Sequence, residues 1–412
     1  MAPSRASRGC RTSTPCSPTA DGFGPGRAIG PSLAGRRTLW LVMNSLGRWT
    51  AGVGSAIAIV AVGSGIGGAA VSSQATRAVT PCGTANAPTW SPDGTQIAWF
   101  GYRWPRPPHG HAVGSWNILR AFCASDSDGK DVHQLPRTVC SERCSNNLGD
   151  PPGQLDWVGP GLLVYGSDDG VHTISVGQKP KLLARGGPDP YALDARGDRV
   201  ATSDFASSCT SCPGPVKVFG VPSGAVVGLV GGKKLSNTEP SLSPDGSQVV
   251  FTRRPATDSG RPAVWTANAD GSHLQRLERH GSSPLWSPAG NLIAYLAPSG
   301  PARSAWRVVA PQGGASRTLL RNGPGTVFGW SPNGRWIAFP DGKGRLDVID
   351  ATTGKVRSLL KLELPYDSSS VAWSPNSQQL LVVWRAPAHS GCPSGLWQVP
   401  IDGTKPHLVH GC

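Results

Sequence analysis

Charged residues are scarce in this sequence, and methionine is nearly absent. Asp, Glu, Lys and Arg make up 16% of the 412 residues, and Met occurs only twice. Glycine (54) and proline (39) are abundant instead. This balance suits long helices badly, and it is typical of a chain built from many short strands joined by turns. We therefore expect an all-β protein.

Negative charge is also in short supply. The chain has 39 Lys and Arg against 25 Asp and Glu, which gives a formal net charge of +14. Seven Arg and one Asp precede residue 76, so +8 remains for the rest of the chain. That remainder is spread over predicted loops, with no Lys/Arg-rich helix and no aromatic-lined basic groove. This distribution argues against nucleic acid as the partner.

The N-terminal part is predicted to be a targeting region. Residues 1–42 are rich in Ser, Pro, Gly and Arg, and we interpret them as disordered or as a wrongly assigned start. Residues 43–75 have the features of a signal peptide, because Arg48 precedes an uncharged stretch at 51–71. Small residues in Ser73-Gln74-Ala75 provide a cleavage site after Ala75.

Two questions about this region stay open in the sequence. Met43 opens a leader of ordinary length, but Arg36-Arg37 is similar to a twin-arginine export signal, which would make Met1 the true start. Residues 51–71 are also long enough to remain as an uncleaved membrane anchor, which would be the only membrane contact. In either case we expect residues 76–412 outside the cytoplasm.

A repeated motif determines the predicted fold. An aromatic or apolar residue followed by Ser-Pro-Asp-Gly recurs, as in Trp90-Ser91-Pro92-Asp93-Gly94 and Leu242-Ser243-Pro244-Asp245-Gly246. Pro presets φ and Gly accepts a positive φ, so each copy predicts a tight turn between two strands. Clear copies begin at 90, 242, 286, 330 and 373, and weaker ones at 157 and 193, with spacings of 67, 36, 49, 44, 44 and 43.

A second hairpin follows the motif in every repeat, for example the one that turns at Ala269-Asp270-Gly271. Two hairpins give four strands, and four-stranded units of this length are the blades of a propeller. Residues 76–412 are therefore predicted to form a monomeric, seven-bladed β-propeller with four antiparallel strands per blade. We interpret the motif Asp residues as turn formers and the recurrent Trp residues as packing between blades.

These repeats resemble the TolB-like propeller family, whose WD40-like repeat carries the same aromatic-Ser-Pro-Asp-Gly signature. The resemblance covers residues 85–412. It implies a periplasmic or secreted propeller that binds proteins, or the propeller part of a larger peptidase. The separate N-terminal α/β domain of the envelope protein is missing here, which places a role in that transport system in doubt.

One face of the predicted propeller carries the variable loops. These loops join the second strand of a blade to the third, and the fourth strand to the next blade. Binding residues usually lie on such loops. The predicted loops are 102–115, 137–153, 206–214, 253–262, 297–304 and 385–394. The candidate binding residues are Arg103, Trp104, Arg106, His109, His111, Arg253, Arg254, Arg303, Arg385 and His389.

Eight cysteines follow the leader, an even number that favours disulfides in an exported chain. The pairs Cys140/Cys144 and Cys209/Cys212 are spaced for disulfides, and the alternative is a zinc site. We also expect a Cys82–Cys412 disulfide to close the ring, since no overlapping strand is predicted to do so. Cys123 and Cys392 have no predicted partner.

Three functions are compatible with the sequence. The preferred one is a binding scaffold of the cell envelope, with a protein or an anionic envelope component as partner and with no cofactor or metal. The alternative is a propeller-type lyase or hydrolase that uses the same loops. A spacer without a ligand is the third, and a peptidase is disfavoured because no room follows the propeller for a hydrolase domain.

Overall fold

A computed structural model describes twelve segments of the chain, all within a compact unit formed by residues 74–412. The predicted leader segments, 1–42 and 43–75, lie outside the described residues. Within the described residues, no helix has the length and apolar character needed to cross a membrane. The described segments are 82–103, 119–135, 155–167, 170–175, 178–185, 188–204, 213–255, 260–300, 303–325, 327–361, 371–384 and 395–411.

The structure confirms the predicted fold. Seven sheets, each of four consecutive antiparallel strands, form a β-propeller. Blade 1 contains β1 (Thr84–Trp90), β2 (Gln96–Arg103), β3 (Leu119–Asp126) and β4 (His133–Gln134). Blade 2 contains β5 (Leu155–Gly159), β6 (Leu162–Ser167), β7 (Gly170–Ser175) and β8 (Lys181–Arg185). Blade 3 contains β9 (Pro188–Arg196), β10 (Arg199–Asp204), β11 (Val216–Gly220) and β12 (Val226–Val230).

The remaining four blades follow the same plan. Blade 4 contains β13 (Ser236–Leu242), β14 (Gln248–Arg254), β15 (Ala263–Asn268) and β16 (Gln275–Glu278). Blade 5 contains β17 (Ser282–Trp286), β18 (Ile293–Gly300), β19 (Arg303–Val309) and β20 (Arg317–Leu320). Blade 6 contains β21 (Gly329–Trp330), β22 (Trp336–Pro340), β23 (Arg345–Asp350) and β24 (Val356–Lys361). Blade 7 contains β25 (Val371–Trp373), β26 (Gln379–Trp384), β27 (Gly395–Pro400) and β28 (His407–Gly411).

The repeated motif forms the turn between the first and second strands. In blade 4 the Ser243 hydroxyl donates to Asp245 at 2.5 Å and accepts the Gln248 N–H at 2.9 Å. Asp245 also accepts the Ser247 N–H, and Gly246 has φ of +68°. Ser243 is buried, so its hydroxyl joins both sides of the hairpin. The turn-forming role predicted for the motif Asp is therefore observed at this position.

Hydrogen bonds join neighbouring blades at positions that are about one repeat apart in the sequence. The indole Nε1 of Trp330 donates to the Leu285 carbonyl, and that of Trp373 donates to the Gly329 carbonyl, each at 3.1 Å. Donor and acceptor are 45 and 44 residues apart, respectively. The predicted packing role of the recurrent Trp residues is thus observed at these two seams.

Among the strands that the structure describes, none is shared between blade 7 and blade 1. Apolar side chains of both blades form one buried cluster that includes Trp99, Leu396 and Val409. Ring nitrogen Nε2 of His410 lies 2.5 Å from the Cys82 carbonyl, and its ring centroid lies 4.9 Å from that of Trp99. Side-chain packing therefore joins blades 1 and 7.

The predicted Cys82–Cys412 disulfide is wrong. Cys82 is bonded to Cys123, with 5.9 Å between their Cα atoms. Cys123 belongs to β3, so the bond ties the segment before β1 to its own blade and does not join blades 1 and 7. The sequence could not show this pair, because Cys82 lies beside β3 only after the hairpins have formed. The other disulfide candidates, Cys412, Cys140, Cys144, Cys209 and Cys212, lie outside the described residues, as does Cys392.

Candidate functional site

We call the surface formed by the loops after the second and fourth strands of each blade the loop face, and the opposite surface the turn face. Antiparallel order places these two sets of connections at opposite ends of the strands. Arg254 ends β14 and Arg303 begins β19, so both lie on the loop face as predicted. Arg103 is the last residue of β2. Trp104, Arg106, His109, His111, Arg385 and His389 lie outside the described residues.

Arg253 is a correction to the predicted surface. It was expected in an exposed loop, but it lies within β14 and is only 9% exposed. Its guanidinium carbon lies 4.4 Å from the centre of the Trp265 ring. Burial lowers the pKa of Arg253 from its usual value, although arginine stays protonated in proteins. Arg253 therefore cannot be part of an exposed binding surface.

Arg253 and Asn237 instead fix the loops around them. Asn237 is 2% exposed, and its Oδ1 accepts from Arg253 Nε at 2.9 Å. Its amide nitrogen lies within hydrogen-bond distance of three carbonyls, those of Gly214 at 2.7 Å, Leu235 at 2.9 Å and Gly232 at 3.1 Å. Arg253 also donates to the Gly231 carbonyl. One buried pair of side chains thus holds both ends of the loop 231–235.

Seven cations lie along the loop face from the end of blade 3 to the start of blade 6. Six are exposed, and Arg254 is partly exposed. The described loops of this stretch carry a single carboxylate, Glu278 at the end of β16. None of the seven forms an ion pair with a described carboxylate. We call this set the basic arc, and its members are Lys233, Lys234, Arg254, Arg261, Arg279, Arg303 and Arg321.

Most of the basic arc was missed by the sequence interpretation, which named only Arg254 and Arg303 among its members. Lys233, Lys234, Arg279 and Arg321 lie in short connections between blades, outside the long variable loops that carried the predicted binding residues. Their position after the fourth strand of a blade was the signal that could have found them.

The turn face has a different electrostatic character. Its exposed carboxylates include Asp93, Asp128 and Asp270. Some of its cations form ion pairs with carboxylates. Lys130 lies 2.8 Å from Asp128, and Arg335 lies 2.9 Å from Asp350. Hydrogen bonds to the Asp93 carboxylate lower its pKa below the usual value. The Ser91 hydroxyl has the largest effect, and the Thr95 backbone and side chain follow. The turn face therefore combines both signs of charge, whereas the basic arc has essentially one.

The first strands of the blades surround a central cavity of about 530 Å³. Two carboxylates in its wall serve as acceptors between blades. Asp194 accepts from the Leu242 N–H at 2.6 Å, and Glu239 accepts from the Ser283 N–H at 2.8 Å. Among the described residues, no group of three or more His, Cys, Asp or Glu side chains could hold a metal ion. We interpret these cavity carboxylates as supports for the ring.

Solved structures of other propellers are similar to this chain. An oligogalacturonate lyase from Vibrio parahaemolyticus is 12% identical, with 78% of this chain and 89% of the lyase covered and a TM-score of 0.56. A puromycin-hydrolyzing peptidase from Mycobacterium tuberculosis is 15% identical, with a TM-score of 0.52. The alignment covers 80% of this chain but only 54% of that peptidase.

TolB from Acinetobacter baumannii is 15% identical, with 76% of this chain and 79% of TolB covered and a TM-score of 0.43. No family model and no curated protein matches the sequence. At these identities the structural similarity is evidence of fold only. What the comparisons establish is that this chain shares the β-propeller fold of the lyase and the peptidase.

Proposed function

We propose that this chain is an extracytoplasmic, TolB-like propeller that acts as a binding scaffold of the cell envelope through its loop face. The observation that carries the proposal is the charge difference between the basic arc and the turn face. Among the described residues, the basic arc has seven cations and one nearby carboxylate, whereas the turn face has mixed and partly paired charges. Complementary charge steers a partner toward one orientation, so an acidic partner would approach the loop face.

The envelope location is supported by two independent features. Residues 43–75 have the pattern of a signal peptide. The Cys82–Cys123 disulfide is a bond that persists in oxidising compartments and is rare in the cytosol. The aromatic-Ser-Pro-Asp-Gly repeats supply the resemblance to TolB-like propellers.

A charge-reversal experiment tests the binding role. The arc variant carries Lys233→Glu, Lys234→Glu and Arg279→Glu. The turn-face control carries Lys179→Glu, Lys355→Glu and Lys405→Glu, which changes the net charge by the same amount on exposed residues of the opposite face. Purified mature protein is sedimented with envelope fragments of the producing cell. We expect retention of the wild type and the control and loss of the arc variant. Equal retention of all three proteins would refute the loop face as the binding surface.

The location has its own test. Protease is added to intact cells that produce the full chain, and the N-terminus of the mature protein is sequenced. Two results would support export. The mature protein begins after Ala75, and the protease digests the chain once the outer layer of the cell has been permeabilised. Protection of the chain until the cytoplasmic membrane is lysed would contradict it.

An enzyme is the second candidate, because a lyase with a TM-score above 0.5 is among the similar structures. The basic arc could bind the carboxylates of an acidic sugar polymer during an elimination reaction. The test is incubation of the mature protein with polygalacturonate and detection of unsaturated sugar ends by ultraviolet absorbance. Their appearance with the wild type and absence with the arc variant would favour the enzyme over the scaffold.

A further inference from the structure

The basic arc differs from an ordinary protein-binding surface in what it lacks. Among the described residues, the large exposed apolar side chains are Val226, Leu229, Leu274, Val356 and Leu408. All five lie on or beside the outermost strands, so none belongs to the loop face. Stable protein interfaces have an apolar or aromatic core, and amphipathic membrane-binding surfaces insert apolar groups. The described part of the loop face offers charge without either feature.

The cations also lie in consecutive loops around the ring. They occur in successive loops that connect blades 3 and 4, cross blade 4, connect blades 4 and 5, cross blade 5 and connect blades 5 and 6. A ligand that contacts all of them must therefore extend across several blades and carry negative charge along its length. Five of the seven are Arg, whose planar guanidinium forms paired hydrogen bonds with carboxylate or phosphate groups.

Part of the arc is fixed in place before any ligand arrives. Lys233 and Lys234 lie in the loop 231–235, and the buried Arg253–Asn237 pair bonds to Gly231, Gly232 and Leu235 around them. The backbone that carries the two ammonium groups is thus held by the interior of the propeller. A fixed scaffold reduces the entropy lost on binding.

On this basis we propose that the basic arc is a binding site for a linear anionic glycan, a sugar polymer with an acidic group on many of its units. The proposal names the ligand class of the loop face and therefore rests on the proposed function. The polymer lies along the loops from blade 4 to the connection between blades 5 and 6, with one end on Lys233 and Lys234. Its acidic groups contact Arg254, Arg261, Arg279, Arg303 and Arg321.

Dextran and carboxymethyl dextran of the same length provide a matched pair of probes, because they share a backbone and differ in carboxylate groups. Binding to the mature protein is measured by calorimetry at several salt concentrations. We expect carboxymethyl dextran to bind, with affinity that falls as salt rises, and dextran not to bind. The arc variant should bind carboxymethyl dextran about tenfold more weakly or worse, and the turn-face control should match the wild type.

Three results would overturn the proposal. The first is the absence of binding to carboxymethyl dextran by the wild type at low salt. The second is an equal loss of affinity in the arc variant and the turn-face control. The third is tighter binding, at equal charge concentration, to vesicles with an anionic lipid than to carboxymethyl dextran, which would identify a lipid surface as the ligand.

The two experiments distinguish failure of the glycan proposal from failure of the proposed function. If the wild type ignores carboxymethyl dextran but the arc variant still loses retention on envelope fragments, the glycan is refuted and the scaffold stands. If the arc variant is retained on the fragments like the wild type, the proposed function itself fails. Circular dichroism and the unfolding midpoint of each variant show whether reduced binding arises from misfolding.

Discussion

The Nε of Arg253 donates a hydrogen bond to the side-chain oxygen of Asn237 at 2.9 Å, and both residues are buried at the loop-face end of β13 and β14. This pair joins two adjacent strands to the loop 231–235, which carries Lys233 and Lys234. Arg253, which was predicted to lie in a binding loop, therefore has a structural role. Its contribution is to hold in place the cations that remain exposed.

Replacing Arg253 should destabilise the propeller. Arg253→Ala removes the bonds to Asn237 and Gly231 and the contact with Trp265, and it leaves a buried amide oxygen without its donor. We expect a loss of about 2 kcal/mol in the free energy of unfolding. Arg254→Ala is the control, since Arg254 is partly exposed, and a change within about 0.5 kcal/mol is expected there. Urea unfolding measures both, and equal effects would contradict the assignment.

The indole hydrogen bonds between blades allow a paired test. Trp330 Nε1 donates to Leu285, whereas the Nε1 of Trp286 is buried without a partner among the described residues. Trp→Phe removes the same atoms at both positions. We expect Trp330→Phe to cost about 1 kcal/mol more than Trp286→Phe, because only the former leaves a carbonyl without its donor. Unfolding midpoints that fall in the reverse order would argue against this hydrogen bond.

The motif turn predicts which replacements of Asp245 are tolerated. Asn333 occupies the equivalent position in blade 6 and makes the same bonds to Ser331 and the Arg335 N–H. Asp245→Asn should therefore keep nearly full stability, whereas Asp245→Ala should lose about 1 kcal/mol. The comparison is made by thermal unfolding at neutral pH. A larger loss in the Asn variant than in the Ala variant would exclude the turn-forming role.

The same residue predicts a pH dependence. The Ser243 hydroxyl and then the Ser247 backbone and side chain lower the pKa of Asp245 from its usual 3.8. A carboxyl group with a lowered folded pKa stabilises the protein above its unfolded pKa, and that stability is lost as pH falls through the folded value. We expect stability to decline as the pH drops below about 4, with a smaller decline in Asp245→Asn. Identical pH profiles for the wild type and this variant would contradict the lowered pKa.

The disulfide makes a covalent prediction. Cys82 and Cys123 are 41 residues apart, so the chain-entropy model assigns their bond about 4 kcal/mol of stability. The double variant Cys82→Ser/Cys123→Ser should unfold at a much lower denaturant concentration than the wild type. Peptide mapping without reduction should recover a peptide that contains both cysteines. Recovery of Cys82 joined to another cysteine would contradict the structure.

A glycine between blades 3 and 4 provides a steric test. A Cβ on Gly228 would lie 2.2 Å from the Ala269 carbonyl oxygen, which is backbone and cannot rotate away. Gly228→Ala should therefore be destabilising by about 1–3 kcal/mol. Gly159→Ala is the control, because its Cβ would have no neighbour within 4 Å. Loss of stability in the control alone would be inconsistent with the blade packing described above.

Most of the architecture was predictable from local signals. The Ser-Pro-Asp-Gly copies predicted the hairpins because Pro and Gly restrict the backbone at fixed positions within a few residues. Turn signals could also place Lys233-Lys234 and Arg279 on the loop face, since each follows the fourth strand of a blade. No short stretch of sequence shows that successive blades present them as one exposed set, because this depends on strands that are far apart in sequence.

The sequence by itself determined the number of blades, their four strands and the order of the two faces, since each follows from turn chemistry and a repeat near 44 residues. Only the tertiary structure decided that Arg253 is buried and that Cys82 pairs with Cys123. It also decided which cations form one arc. Those outcomes depend on packing between separate strands and blades, and the free energy of such packing is not encoded in any short stretch of the chain.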